Sequence, residues 1–288
     1  MIRDSSARTS LGATCLFVLL WSSGAIFARL GLDHASVFDF LTMRYAVAIA
    51  VLAIVAVFRR RSLLPAPGTR LRVAASGALL LGAYSISYFL ALDHGIAPGV
   101  LATVLGAQPV LTLVITERRL SPARLLGLCL ALGGLVLVVY DGAAVAQVSV
   151  AGVAFAVASL VAMTSGAILQ KSVAQPPISV LPMQYGASLV MCLACLPFQP
   201  HRVELSVALV VTLLWLAIVI SVIAQLLLYG LIQTGNLVNV TSLFYLVPIV
   251  TAVMDRWIFG NALSSPAVAG MAAILAGLAV VFRCVPGR

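Results

Sequence analysis

Apolar stretches of about 20 residues, the length that carries a helix across a hydrocarbon core, recur along this whole chain with only short polar or proline- and glycine-bearing interruptions. Ten are read, near 11–29, 37–58, 71–92, 97–116, 121–140, 149–170, 178–198, 206–232, 237–259 and 265–283. The breaks are turn-forming: Asp33-His34, Pro65-Ala66-Pro67-Gly68, Asp93-His94-Gly95, Ser121-Pro122, Asp141-Gly142, Gln175-Pro176-Pro177, Gln199-Pro200-His201, Gly235-Asn236 and Ser264-Ser265-Pro266. The pattern predicts an all-α membrane protein of ten transmembrane helices. The first stretch has the length of a signal-peptide core, but it lacks an A-x-A site and has a counterpart later in the chain, so it is read as a span.

That counterpart belongs to a duplication. Residues 11–140 and 149–283 match at offsets of 139 to 144: Ser23-Gly24-Ala25-Ile26 with Ser165-Gly166-Ala167-Ile168, Met43-Arg44-Tyr45 with Met183-Gln184-Tyr185, and Pro109 and Thr112 with Pro248 and Thr251. Five spans per copy is an odd number, so the second copy enters the bilayer from the other side. Two inverted five-helix repeats, one per half, are the expected domains, and such pairs are a common transporter plan.

Composition excludes a water-soluble surface: 62% of residues are hydrophobic, 9% are charged, and the mean hydropathy is +1.16. Charge sets the orientation. With the N-terminus inside, the cytoplasmic side collects 13 of the 17 basic residues (Arg3, Arg8, Arg59, Arg60, Arg61, Arg70, Arg72, Arg118, Arg119, Arg124, Lys171, Arg283 and Arg288). The other side receives Arg29, Arg44, Arg202 and Arg256 with six of the eight acids, so both termini are expected in the cytoplasm. The net charge of +9 reads as this topology signal and as attraction to anionic lipid, with no nucleic-acid role. Cys192-x-x-Cys195 reads as helix packing, because no second pair or nearby His completes a metal set.

Several runs resemble a known family. Leu20-Trp21-Ser22-Ser23, Met43-Arg44-Tyr45, Tyr88-Phe89-Leu90-Ala91-Leu92, and Ala107-Gln108-Pro109-Val110 leading to Glu117-Arg118-Arg119-Leu120-Ser121-Pro122 look like one EamA-type unit. Tyr245-Leu246-Val247-Pro248-Ile249-Val250, Ile258-Phe259-Gly260-Asn261 and Ser265-Pro266 repeat it. The chain is thus similar over nearly its whole length to the drug/metabolite transporter superfamily, whose ten-helix members include exporters of amino acids and related metabolites. The resemblance implies a central substrate cavity worked by alternating access in a bacterial inner membrane. It departs at Asn261, where the family commonly has Glu, while the first-half counterpart Glu117 is kept.

The residues themselves indicate where a cavity could lie. Pro109 and Pro248 fall inside spans four and nine and free the carbonyls four residues back, at Leu105 and Phe244. Such breaks mark a transport site or a packing kink. Thr103 and Gly106 before Pro109, and Asn239, Ser242 and Tyr245 before Pro248, share helical faces, as do Gln225, Tyr229, Gln233 and Asn236 on span eight and Tyr84 and Tyr88 on span three. Singly, each such polar group reads as interhelical packing. Trp21, paired with Met163 by the repeat, sits near mid-bilayer, where an anchoring tryptophan does not belong. Trp21, Tyr84, Tyr88, Gln108 and Tyr245 are expected in one central cavity, with Gln225 and Tyr229 nearby. Arg44, seven residues into span two, requires a partner: a substrate carboxylate or outward gate on one reading, a structural pair with Asp39, Asp33 or Asp93 on the other, which is favoured. Asp255 and Arg256 read as interfacial charges.

Three function classes compete. A secondary transporter accounts for the duplication, the paired prolines and the polar stripes. An intramembrane enzyme would need an assembled nucleophile or metal site, yet His34, His94 and His201 all fall near turns and Gly186-x-Ser188-x-Val190 lacks the second glycine of a nucleophile elbow. A scaffold has no use for mid-span Trp and Gln. No nucleotide-binding loop is present, so transport would run on a gradient. The expected function is export of amino acids or related small metabolites by a monomer, without cofactor or metal. The alternative within transport is a phosphorylated or nucleotide-linked metabolite carrier.

Overall fold

The computed structural model describes residues 2–60, 62–117, 121–139, 149–259 and 264–284, with the side chains of all of these except 2–11 and 254–259. Among the described residues ten helices follow in chain order: α1 (Ile2–Leu32), α2 (Val37–Phe58), α3 (Arg70–Asp93), α4 (Pro98–Thr116), α5 (Pro122–Val139), α6 (Val150–Lys171), α7 (Pro177–Phe198), α8 (Val207–Thr234), α9 (237–259) and α10 (Ser265–Arg283). Nine contain a described apolar stretch long enough to cross a membrane, and α9 adds the shorter Leu237–Val253. The element boundaries agree with the hydropathy reading to within a few residues, apart from α1, which begins well before residue 11. The turns are built by the residues that mark them. Ser149, Ser206, Asn236 and Ser264 each accept a backbone N–H at the start of α6, α8, α9 and α10, Pro98 and Pro177 open α4 and α7, and Gly95 takes a φ of +85° between α3 and α4.

Helices α1–α5 and α6–α10 are the two inverted repeats. Their shared architecture extends to the irregularities. In α3 the stretch Ala78–Ala83 and in α8 the stretch Trp215–Ala224 are wound as π-helix, with the Tyr84 N–H reaching Leu79 O and the Gln225 N–H reaching Ile220 O, five residues back in each case. Helix α4 breaks between Leu105 and Gln108, and α9 passes through a 3₁₀ turn at Leu243–Tyr245. Both interruptions lie just before the repeat-related Pro109 and Pro248, whose rings exclude the regular bond to the preceding turn.

Successive spans alternate in direction, which gives the bundle two faces. A basic face carries Arg59, Arg60, Arg70, Arg72 and Lys171 at helix ends, and an acidic face carries Asp33, Asp39, Asp93 and Glu204. On the acidic face the α1–α2 and α7–α8 connections are tied by a short antiparallel bridge, Ser36 N–H to Arg202 O and Glu204 N–H to His34 O, both 2.8 Å. Asp39 accepts from Ser36 (2.6 Å), from the Arg202 backbone N–H (3.0 Å) and faces the His201 ring at 3.0 Å. On the basic face the Lys171 ammonium caps the end of α8 through the carbonyls of Ile232, Gln233 and Gly235 at 2.6 to 3.0 Å.

Helices α5 and α10 stand apart as an antiparallel pair with small residues at seven-residue spacing. A Cβ on Gly134 would lie 2.6 Å from Gly270 O, and one on Gly127 would lie 2.8 Å from Gly277 O, so only glycine permits this approach. Because lipid is as apolar as the helices, the close contact itself, rather than water exclusion, holds such a pair. Around the bundle, Leu19, Ile54, Leu126, Val161, Val190, Val211 and Leu275 point outward as an apolar coat.

Candidate functional site

A cavity of about 140 Å³ lies at the centre of the bundle. Every helix except α5 and α10 contributes to its wall. Trp21, Tyr84 and Tyr88 supply aromatic surface, joined by Phe244 of α9 through a Trp21–Phe244 ring contact of 5.4 Å. Arg44, Gln108 and Gln225 supply polarity, and Met163, the repeat counterpart of Trp21, is also in the lining. The lining reaches helix ends on the acidic face at Ala28, Tyr88 and Pro98, and none of it comes from the helix ends of the basic face.

Two repeat-related bonds hold the walls in place. The Tyr45 hydroxyl of α2 donates to Leu81 O in the α3 π-stretch (2.8 Å), and the Tyr185 hydroxyl of α7 donates to Ser221 O in the α8 π-stretch (2.5 Å). The donor-to-acceptor separation is 36 residues in both repeats. The two rings meet each other at 5.5 Å, so α2, α3, α7 and α8 are linked at their centre.

Arg44 is 9% exposed and sits in the cavity wall. Its Nε donates to Ser221 Oγ at 2.8 Å, while that hydroxyl donates to Leu216 O at 2.9 Å, one long π turn back. The expected structural pairing with Asp39, Asp33 or Asp93 is not made. Asp39 is taken up by Ser36, His201 and Arg202, Asp93 accepts from Gln199, and Asp33 and Asp93 form no ion pair with Arg44. Position 44 lies deeper than the acidic-face loops that hold these carboxylates. The inverted counterpart of Arg44 is Gln184, which instead lies in the basic-face half, bonded to Ser76 Oγ and Gln170 Oε1 at 2.7 Å each. There Gly77 packs directly on Gln184, and the equivalent space is filled.

Five of the seven aromatic and amide residues expected at the cavity line it: Trp21, Tyr84, Tyr88, Gln108 and Gln225, together with Pro248 of the two prolines. Two do not. Tyr245 is 0% exposed and turns toward α5, its hydroxyl 3.4 Å from Leu128 O. The 3₁₀ turn at 243–245 advances about 120° per residue instead of 100°, which breaks the phase extrapolated from Pro248 and presents Phe244 in its place. Tyr229 is buried behind the wall, its hydroxyl beside the Gln225 carboxamide without closing a hydrogen bond to it. Pro109 is buried in α4 outside the lining.

A second polar cluster went unread in the sequence. Arg124, 0% exposed near the start of α5, pairs with Glu117 just after α4 and donates to Asn239 Oδ1 (3.1 Å) and Asn236 Oδ1 (3.3 Å) of the second repeat. Like Ser76–Gln170–Gln184, it lies in the basic-face half of the bundle. Asn261, Arg118 and Arg119 lie outside the described residues, as do the side chains of Asp255 and Arg256. Among the described residues no three His, Cys, Asp or Glu side chains gather to hold a metal ion.

No curated protein matches the chain. Among solved structures, one of 23 matching chains is a crystal structure of a protein with 20% sequence identity and a TM-score of 0.76, covering 95% of this chain and 97% of its own length. At that identity the likeness shows a shared fold. The EamA-like transporter family model matches twice, over residues 9–140 and 150–283, the two halves recognised above as inverted repeats. With both repeats matched, the chain belongs to the EamA-like transporter family, within the drug/metabolite transporter superfamily.

Proposed function

We propose that this protein is a secondary transporter that exports amino acids or related small metabolites across a bacterial inner membrane by alternating access, with both termini cytoplasmic. The observation that carries the reading is the unequal pair of half-channels. Inverted repeats place equivalent helices on both sides of the centre, yet one half holds the cavity and the other is filled by Ser76, Gln170 and Gln184. Exchanging the conformations of the two repeats would fill the first half and open the second, which is the transition alternating access requires. At about 140 Å³ the cavity is below the roughly 300–1,000 Å³ of pockets for drug-sized ligands, which supports a small solute. A phosphorylated substrate would call for several cationic side chains, and Arg44 alone among the described lining residues is one.

Cells loaded with dipeptides, with and without the protein, provide the test through efflux of the labelled amino acids. Protein-dependent efflux is expected, and Trp21→Ala or Gln108→Ala should lower it about tenfold, the effect of losing a contact worth about 1.4 kcal/mol. Efflux equal with and without the protein, for amino acids and related metabolites alike, would end this reading.

A further inference from the structure

We infer that the cavity selects solutes bearing one carboxylate and a net charge of −1, with Arg44 and Gln225 as the carboxylate's donors. The inference deepens the transport reading above and rests on it for the use of the cavity. Arg44 is nine-tenths buried and carries a full positive charge. Its Nε is consumed by Ser221, whose own proton is committed to Leu216 O, so the guanidinium is held at a fixed angle and its two Nη groups bond to no other described side chain. An arginine fork in this state is shaped for a carboxylate, which accepts two parallel N–H bonds.

Gln225 supplies a further donor. It follows Ser221 by four residues on α8, so it stands on the next turn of the face that Arg44 touches. It is buried, lines the same cavity, and its Nε2 has no hydrogen-bond partner. An unpaired buried amide and a buried guanidinium without a described counter-ion in one cavity wall are an arrangement that a bound carboxylate completes. The Tyr45 and Tyr185 hydroxyls are spent on backbone carbonyls and offer nothing to a ligand.

The same wall decides the net charge. Among the described residues no Asp or Glu lines the cavity, so an ammonium group on the solute would be buried without a counter-ion from these residues in the field of Arg44. The faces of Trp21, Tyr84 and Tyr88 attract cations, but by less than the burial of an unpaired ammonium costs. An apolar or acylated group in place of the ammonium suits these rings. The ligand class is therefore a small monocarboxylate with an apolar or aromatic body, such as an N-acylated amino acid or an arylalkanoate, ahead of the zwitterion of the same side chain.

Three probes of one shape test this: N-acetyl-L-phenylalanine (net −1), L-phenylalanine (net zero) and L-phenylalaninamide (net +1). Binding to the purified full-length protein is read by calorimetry and flux by uptake into proteoliposomes. The expected order is anion, zwitterion, cation, with at least about tenfold between the first two, the range of a charge-assisted hydrogen bond. Arg44→Gln should abolish the preference, and Arg44→Lys should keep the sign while lowering affinity. Equal or tighter binding of the zwitterion by the unaltered protein overturns the inference whether or not the variants fold. Ordered binding without flux of any probe would instead refute the transport reading and leave the carboxylate site standing.

Discussion

Removing one partner from the Glu117–Arg124 pair leaves the other without its counter-ion, in a place where the Arg124 side chain is fully buried and that of Glu117 only 14% exposed. Arg124→Met should therefore destabilise the protein by about 3–5 kcal/mol, and Glu117→Met combined with it should recover much of that loss, since the penalty belongs to the orphaned charge more than to the pair. A double-mutant cycle of detergent unfolding reads this directly, and strictly additive costs would show the two residues to be uncoupled. The tyrosine hydroxyls make a matched pair of experiments. Tyr45→Phe and Tyr185→Phe should each lower stability by about 1 kcal/mol and by amounts equal within about 0.5 kcal/mol, because each deletes the same bond in an inverted copy. Residue positions were legible where depth and helical phase decide them: Trp21, Tyr84, Tyr88, Gln108 and Gln225 could be placed at one cavity from repeat position, phase and depth. Tyr245 could not, because phase fails across a 3₁₀ turn. Arg124 read as a topology charge at a helix start, since Asn236 and Asn239, which bury it, lie more than a hundred residues away along the chain.

Among elements, α4 and α9 were readable as interrupted helices because proline announces itself. The π-stretches of α3 and α8 were not. Ala78–Ala83 and Trp215–Ala224 are plain apolar runs, and the hydroxyls that bond to carbonyls in their wide turns come from Tyr45 and Tyr185, which the local sequence does not contain. If the breaks are hinges, Pro109→Ala and Pro248→Ala should reduce flux several-fold with little loss of folding, and should shift cysteine accessibility toward opposite faces because the repeats are inverted. Flux and accessibility measured together on the reconstituted protein decide the matter, and unchanged values for both variants would mean that gating lies elsewhere. The α5–α10 contact gives the opposite kind of result. Gly134→Leu places carbon where Gly270 O stands and should cost about 1–3 kcal/mol or more as an overpacking change, seen as a lower melting temperature.

For the whole molecule, hydropathy and duplication revealed the ten helices and their inversion, because a bilayer leaves a chain few other ways to satisfy its backbone. Which half-channel is filled was not readable, since both halves are built from matching helices and the difference rests on contacts such as Gly77 on Gln184. Orientation is open to a labelling test in a cysteine-free background. Impermeant reagent added to intact cells should reach His94→Cys on the acidic face and fail to reach Ser62→Cys on the basic face, and the reverse result would invert the topology. In the same background Ala102→Cys in the cavity wall should react from the acidic face, whereas Ser76→Cys should stay protected.

The uncompensated guanidinium in that cavity also has an electrical consequence. On the alternating-access cycle and the monocarboxylate proposed above, a binding site that holds +1 when empty and is neutralised by its solute makes the loaded protein electrically silent and the empty one a moving charge. Crossing the full field would be worth about 2.3 kcal/mol per 100 mV for that charge, and any part of the field that the site traverses counts in proportion. Voltage then acts on the return of the empty carrier and leaves the loaded step alone. Net flux should depend on membrane potential, while exchange of labelled for unlabelled solute, in which the carrier never returns empty, should not.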